Sequence, residues 1–471
     1  MAEGLTGPGD FILDECRIIT HNNVNLDISN TVVGITLFEG IDSVSVSGSI
    51  TISDTLNITS TGPIVGHEYL YLKIRTPSLS HEGNSTIDFS KNAFIINNIS
   101  GRQTVSNSQI VVIHFVSLEL IRNQRLRVQK SFTSSWSTIV QFMLGTDYLN
   151  SKKKVMIEET QGVKKFVAPS LRPLKVIDIA AKQAISRHKQ EPTFLFYETL
   201  KGLNFRTVAS LYNQKPLLSY KESPPGHNAT GTKGYDLVED LQNIISYQIV
   251  SSNEMLLNYR AGMLGSKLIT HDIINKTYQD TNYNYHDNFS NEPHIVGAGT
   301  EKNEEHPYIS ESHVTRGHRM SDFPSRFFVY PITSSGGIDG QHTTKKNTTP
   351  FIAQDPHRWL QRRTSQIVQI ENAFQVNVVV HGNTIISAGD IVKVNLPQRM
   401  TSIKTSESVD KIYQGPFLVK KIRHDFNFAN SPRKHQMSMN LVKDSLEDSL
   451  EFTQDNPEPS ATDGIVENYD F

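Results

Sequence analysis

A chain of 471 residues is long enough for about three domains of average size, which excludes one small module. With 37% hydrophobic and 20% charged residues, 28 glycines and 20 prolines, it is neither collagen-like nor disordered throughout. The 46 basic and 48 acidic residues leave a net charge of -2, which excludes bulk attraction to nucleic acid or an anionic membrane, and the single cysteine, Cys16, excludes a disulfide framework or a multi-thiolate metal site.

The charge is unevenly placed. Nine acidic residues and no basic one lie from Asp444 onward, so the body before it carries 46 basic against 39 acidic residues. The N-terminus has no basic, apolar leader, and the longest apolar stretch, Ile110 to Val116, is interrupted by His114, so no membrane association is expected.

Residues 1–120 alternate apolar and polar side chains between turn clusters, the pattern of antiparallel strands with one buried face. From Ser43 to Asp54, Val44, Val46, Ile50 and Ile52 fall on one side, with serines and threonine on the other. Further strands are expected at Tyr69 to Ile74, Phe94 to Ile99 and Ile110 to Leu120. Then the period lengthens: Trp136, Ile139, Val140, Met143 and Leu144 make one helical stripe, with Ser134 or Ser135 as N-cap and Gly145 as the stop. A second helix is expected from Pro173 to His188, with Arg187 and His188 near its C-terminal dipole. Phe194 to Phe205 reads as a hairpin turning at Lys201-Gly202, followed by a short helix to Tyr212.

From Tyr278 to Pro350 no period is sustained, and the composition predicts a polar excursion without a core. Order resumes with a helix around Asp355 to Glu371 and strands at Phe374 to Val380, Ile391 to Leu396, Phe417 to His424 and Gln436 to Lys443. Gly66-His67-Glu68-Tyr69-Leu70 to Pro77 and Gly389-Asp390-Ile391-Val392 to Pro397 share a glycine turn, an acid, an alternating strand and a proline stop. Duplication and ordinary hairpin grammar both account for that likeness.

Motifs for chemistry are weak. His286, His294, His306, His313 and His318 lack metal-ligand spacing and read as solvated loop histidines, so no metal site is expected. Asp280-Thr281-Asn282-Tyr283-Asn284 opens like a calcium loop but has Tyr285 where glycine is needed. Ser151-Lys152-Lys153-Lys154 lacks the partners of a serine-lysine site and reads as a charged helix exit. Cys16 reads as a buried structural thiol, and the pairs Arg362-Arg363 and Lys420-Lys421 as solvated or interface positions. No catalytic residue or cofactor site is expected.

The segment Phe115-Val116-Ser117-Leu118-Glu119-Leu120-Ile121-Arg122-Asn123, then Arg127-Val128-Gln129-Lys130-Ser131-Phe132 and the Trp136 helix, resembles baseplate hub proteins of contractile-tailed phages. The hairpin Phe194 to Phe205, the strand Ala388 to Val394, and Tyr413-Gln414-Gly415-Pro416-Phe417-Leu418-Val419 with Ile422 and His424 resemble later parts of that family. The resemblance covers about residues 1–270 and 355–445. It implies a mainly β chain with some α (α+β): two tail-tube-like β-barrel domains plus a loop-rich insertion domain. The first barrel is expected at 1–120, the second at 121–205 and 366–445, a connection and insertion at 206–365, and an acidic tail at 446–471. It further implies a homotrimer forming a pseudo-hexameric ring in the virion, between the tail tube protein and the central spike protein, with DNA only in transit through the lumen.

Leu446, Leu450, Phe452, Ile465, Val466, Tyr469 and Phe471 are expected to dock the tail on neighbouring baseplate proteins. Alternatives are a hub of a secretion system or tail-derived bacteriocin, a hub bearing peptidoglycan hydrolase activity, and a carbohydrate-binding β-protein using the aromatic cluster Tyr278, Tyr283, Tyr285 and Phe289.

Overall fold

The computed structural model describes residues 7–55, 62, 64–77, 86–105, 108–188, 190–222, 241–251, 254–273, 276–296, 318–332, 355–372, 374–397, 410, 412–429 and 433–446. Alternation in the first stretch gives β1 (Ile12–Ile19), β2 (Asn25–Asp27), β3 (Val32–Gly40), β4 (Ser47–Asp54), β5 (Tyr69–Arg75), β6 (Thr86–Asp88), β7 (Phe94–Val105) and β8 (Ser108–Ser117). Ile50 and Ile52 are buried as expected, whereas Val44 precedes β4 and is exposed. The strand expected to reach Leu120 stops at Ser117, because the chain turns there into the helix Leu118–Arg125.

Next come β9 (Val128–Ser134), β10 (Val155–Ile157), β11 (Lys164–Leu171), β12 (Phe194–Thr199) and β13 (Gly202–Thr207). The helix Trp136–Leu144 begins where Ser135 Oγ accepts the Thr138 N–H at 3.3 Å, and Gly145 ends it. The helix Pro173–Gln183 stops short of Arg187 and His188, which therefore do not sit on its terminal turn. These helices bury Trp136, Ile139, Met143, Val176 and Ile177 against Phe194 and Phe205 in a core of their own. Strands β9 and β11 pair with each other, and β10, β13 and β12 form a three-stranded sheet. Residues 121–205, expected in the second barrel, thus stand outside the main sheet.

The remaining strands are β14 (Leu218–Lys221), β15 (Ile244–Ser251), β16 (Gly265–Asp272), β17 (Thr277–Asn284), β18 (Arg326–Ile332), β19 (Phe374–His381), β20 (Ile391–Asn395), β21 (Gly415–Asn427) and β22 (Lys434–Lys443). One 14-stranded sheet runs β15-β19-β22-β21-β3-β4-β8-β7-β5-β1-β2, with β14, β20 and β6 attached beside it. Among the described residues it does not close on itself, so the two expected barrels appear as one continuous sheet with two cores, one around Ile35, Ile50 and Ile113 and one around Val378, Val419 and Met439.

That sheet is built twice. The order β3-β4-β8-β7-β5 recurs as β15-β19-β22-β21-β20, antiparallel throughout and in the same chain order. The irregularities recur too: a bulge between Ile96 and Asn98 matches one between Val419 and Lys421, and a shift between Val32 and Gly34 matches one between Ile244 and Ser246. The Ile96 N–H donates to Glu68 O at 2.9 Å, and the Val419 N–H to Asp390 O at 2.9 Å. The Glu68 carboxylate accepts from Val65 N–H, and the Asp390 carboxylate from Ser387 N–H, each at 2.8 Å. Bulges are specified features of a strand pair, so this agreement makes the Gly66 and Gly389 segments equivalent parts of a duplicated unit. The two units join edge to edge where β21 pairs with β3, from Lys421 opposite Gly40 to Asn427 opposite Gly34.

The excursion after Tyr278 differs from expectation. Strands β17, β16 and β18 form a sheet, and Met263, Leu264, Tyr283, Tyr285, Phe289 and Val368 make a small core beneath it. Polar side chains complete this core: Gln369 Nε2 donates to Tyr285 Oη at 2.6 Å, and Ser365 Oγ to Met263 O at 2.9 Å. Its aliphatic content is low because amides and hydroxyls fill positions that periodicity expects to be apolar. Among the described residues no helix is long and apolar enough to cross a membrane.

Candidate functional site

The hairpin β12–β13 lies where both units meet, and its charged residues are drawn inward. Glu39, near the end of β3, is buried; its Oε2 accepts the Leu200 N–H at 2.8 Å and its Oε1 the Ala388 N–H at 2.9 Å. One carboxylate therefore ties the first unit, the hairpin turn and the turn before β20. Lys201 Nζ reaches Asp390 at 2.9 Å, and Gln214 Nε2 donates to Gly389 O at 2.8 Å. Burial pushes the Asp390 carboxyl upward, against the pull of Lys201. Gly389 has φ +92°, and a Cβ there would stand 2.4 Å from Tyr197 Oη. Only glycine suits that turn, on both conformational and spatial grounds.

On the same strand Glu198 is 1% exposed; its Oε2 accepts the Val46 N–H at 3.0 Å and its Oε1 the Ser117 hydroxyl at 2.7 Å. Lys153 Nζ lies between Glu198 and Glu119, 2.7 Å from the latter, and Ser151 Oγ donates to Glu119 at 2.7 Å. Burial alone would lower the Lys153 ammonium, but the two carboxylates outweigh it and raise its pKa. Burial raises the Glu198 carboxyl in spite of Lys153. The lysine run expected to be a charged helix exit thus supplies a buried cation.

The arginine pair is also internal. Arg362 contacts Glu191 at 3.1 Å and Glu292 at 3.3 Å, while Arg363 Nη1 donates to Phe194 O at 2.7 Å and Ala181 O at 3.0 Å; burial lowers the Arg363 guanidinium to about 10. The carboxylates in these clusters spend their oxygens on backbone N–H groups, hydroxyls, the Gln366 amide or cations. The arrangement fastens chain segments together.

Of the expected docking residues, Leu446 is 1% exposed and belongs to the core of the second unit. Leu450, Phe452, Ile465, Val466, Tyr469 and Phe471 lie outside the described residues. Asp444, counted with the tail, is buried; His294 Nδ1 lies 2.8 Å from its Oδ2, and the Ile295 N–H donates to its Oδ1 at 3.1 Å. The buried Asp444 carboxylate raises the His294 pKa although burial opposes it, so this histidine is not solvated. His286 is half-buried, His318 is exposed, and His306 and His313 fall outside the described residues. Among the described residues no three His, Cys, Asp or Glu side chains gather as metal ligands. Cys16 is buried and its thiol is pushed far up by burial, as a structural thiol should be. Tyr283, Tyr285 and Phe289 are buried and only Tyr278 is exposed, so the aromatic cluster of the carbohydrate reading is not a surface platform.

Sequence reasoning missed Glu39, Glu119, Lys153 and Glu198. A signal was present: Glu39 and Glu198 each interrupt an apolar strand at a position facing other segments, where a lone acid demands a partner.

The fold is similar to that of a solved tail protein. The chain superposes on the tail protein from Neisseria meningitidis MC58 with a TM-score of 0.51, covering 91% of this chain and 96% of that one at 10% identity, a likeness of fold. The 43 kDa tail protein of prophage MuSo2 from Shewanella oneidensis is similar at a TM-score of 0.49, with 91% and 98% covered and 10% identity. The prophage tail protein gp18 from Listeria monocytogenes EGD-e gives 0.43, with 92% and 96% covered and 9% identity. No family model matches the chain, and no curated protein matches its sequence.

Proposed function

We propose that the chain is a structural baseplate hub, three copies of which form a pseudo-hexameric ring that adapts a hexameric tail tube to a trimeric central spike. The observation that carries this reading is the duplicated five-stranded unit: two equivalent units per chain give six around a threefold axis. In this reading each unit takes the place of one tube-like barrel. The alliance of fold with duplication favours a mechanical part over a catalyst, and we place no hydrolytic step on the chain.

Passage through the ring is supported by the sheet face turned away from the core. Asn377, Asn440, Ser438, Thr36, Ser49 and Thr51 follow one another across it, and its cations are matched: Lys421 with Asp42 at 2.7 Å and Arg423 with Asp425 at 2.9 Å. A cavity of about 610 Å³ on this face is lined by strands of both units. Small neutral groups and paired charges neither hold nor repel a polyanion, which suits DNA in transit. The acidic segment beyond Leu446, with Leu450, Phe452, Ile465, Val466, Tyr469 and Phe471, is the proposed tether to neighbouring baseplate proteins.

Electron cryo-microscopy of purified particles tests the reading. The expected result is density for this chain in a ring between tube and spike; its location elsewhere, or hydrolysis of peptidoglycan lost on a single Asp or Glu substitution, contradicts it.

A further inference from the structure

The duplication says which surfaces a second copy meets. Within the chain, β21 is long enough to serve two partners: Gly415 to Leu418 pairs with β20, and Lys421 to Asn427 pairs with β3 of the other unit. Its equivalent is β7, whose first residues, Phe94 and Ile95, pair with β5. Beyond Ile96 no strand of the described residues occupies that edge of β7. The equivalent of β3 is β15, which ends the sheet path; it pairs with β19 and with no further strand among the described residues. One half of an internal joint therefore recurs on each margin of the molecule.

The side chains agree. Ile249 holds the position of Leu37, since Ile249 faces Val376 as Leu37 faces Gly48, yet Leu37 is fully buried and Ile249 is 44% exposed. Val250 and Ile245 beside it are 49% and 44% exposed. An edge strand with several exposed aliphatic side chains is a pairing template and needs a cover. That cover is not the chain's own β7, which stands seven strand steps away, about 34 Å along the sheet at roughly 4.8 Å per step.

We infer that β15 of one copy adds antiparallel to β7 of a second copy, in the register that β3 keeps with β21. This rests on the ring reading above and identifies its contact. Transferring the pairs Thr36–Asp425 and Ile35–Phe426 through the matched bulges sets Gln248 opposite Gln103 and Tyr247 opposite Thr104 of the neighbour; a bulge of β15 between Ile249 and Ser251, which β3 lacks, ends the transfer there. The extra residue of β7 between Ser100 and Gln103 is absorbed as a bulge. The contact is head-to-tail, so each copy uses both margins and the assembly closes as a ring.

Paired cysteines in the full chain test it. Opposed residues of antiparallel strands have Cα atoms about 4.5–5.5 Å apart, inside the roughly 4.4–6.8 Å that a disulfide spans. Gln103→Cys with Gln248→Cys, or Thr104→Cys with Tyr247→Cys, should give covalent multimers on mild oxidation of concentrated protein. The mismatched pair Ser100→Cys with Gln248→Cys should give about tenfold less, being out of reach. Adding Ile249→Lys should abolish the multimers while circular dichroism stays native. Disulfides closing within a single chain, equal yields from the mismatched pair, no multimers from either matched pair, or multimers that survive Ile249→Lys would each overturn the pairing. In-register cross-links from a chain absent from the tail tip would remove the hub function and leave the pairing standing. A chain found in the ring without these cross-links removes the pairing alone.

Discussion

Replacing Lys153 by methionine isolates one buried charge cluster. The side chains of Lys153, Glu119 and Glu198 are 5%, 10% and 1% exposed, so removing the ammonium strands two carboxylates in a medium that cannot solvate them. Breaking a buried ion pair from one side costs roughly 3–5 kcal/mol, a fall of roughly 10 °C in Tm for a domain of ordinary size. Without the ammonium the folded pKa of the carboxylates lies above the unfolded value, so the folded state takes up protons. The deficit is therefore small near pH 4.5, grows as pH rises through the folded pKa, and is full at pH 8. Urea unfolding followed by the fluorescence of Trp136, which is buried in the neighbouring core, reads it directly. Adding Glu119→Gln and Glu198→Gln should return much of the loss. A Lys153→Met protein within about 0.5 kcal/mol of native at pH 8, or a deficit independent of pH, would refute the account of this cluster.

Gly389→Ala should cost roughly 1–3 kcal/mol from its positive φ alone and more from the Tyr197 hydroxyl, so Tyr197→Phe in the same chain should recover part of the loss; strictly additive effects in denaturant melts contradict the contact. Leu446→Ala should cost about 2–5 kcal/mol as a core truncation, whereas an unchanged melt would return Leu446 to the tail. The histidines divide by sign. His294, raised by Asp444, contributes stability that is full below about pH 6.5 and lost as pH rises through its folded pKa, so the gap between native and His294→Gln proteins should narrow with rising pH. His435 is depressed, first by burial and then by His424, so its stability is present above about pH 6.5 and lost below it. His435→Phe should flatten that acid limb in urea midpoints measured across pH, and an unchanged limb contradicts the assignment.

Where one face meets one core, the residues were legible: β5, β12, β13 and β19 to β22 fall where period two places them, and the Trp136 helix has its serine cap and glycine stop. The repeat was visible only as the Gly66 and Gly389 likeness, because bulges and pairing partners, which establish it, leave almost no trace in composition. The insertion was misread because Gln361, Ser365, Gln366 and Gln369 are buried on the helix Leu360–Asn372, and a core satisfied by amides has no apolar period. The buried charges were misread for the same reason: Lys153 sits in a run of lysines that looks solvated until Glu119 and Glu198 arrive from distant segments. Residues 121–205 were placed in the second barrel by the resemblance alone, and a core of their own around Trp136, Val176 and Phe194 left no signal of which sheet they would join.

The central claim is that two equivalent units per chain build a sixfold arrangement from three chains. Copy number and symmetry of the assembled ring, from native mass spectrometry with electron microscopy of the same preparation, test it most directly. Three chains with six similar lobes is the predicted result; a ring of two, four or five chains, or three chains whose two units lie at unlike radii, would contradict it.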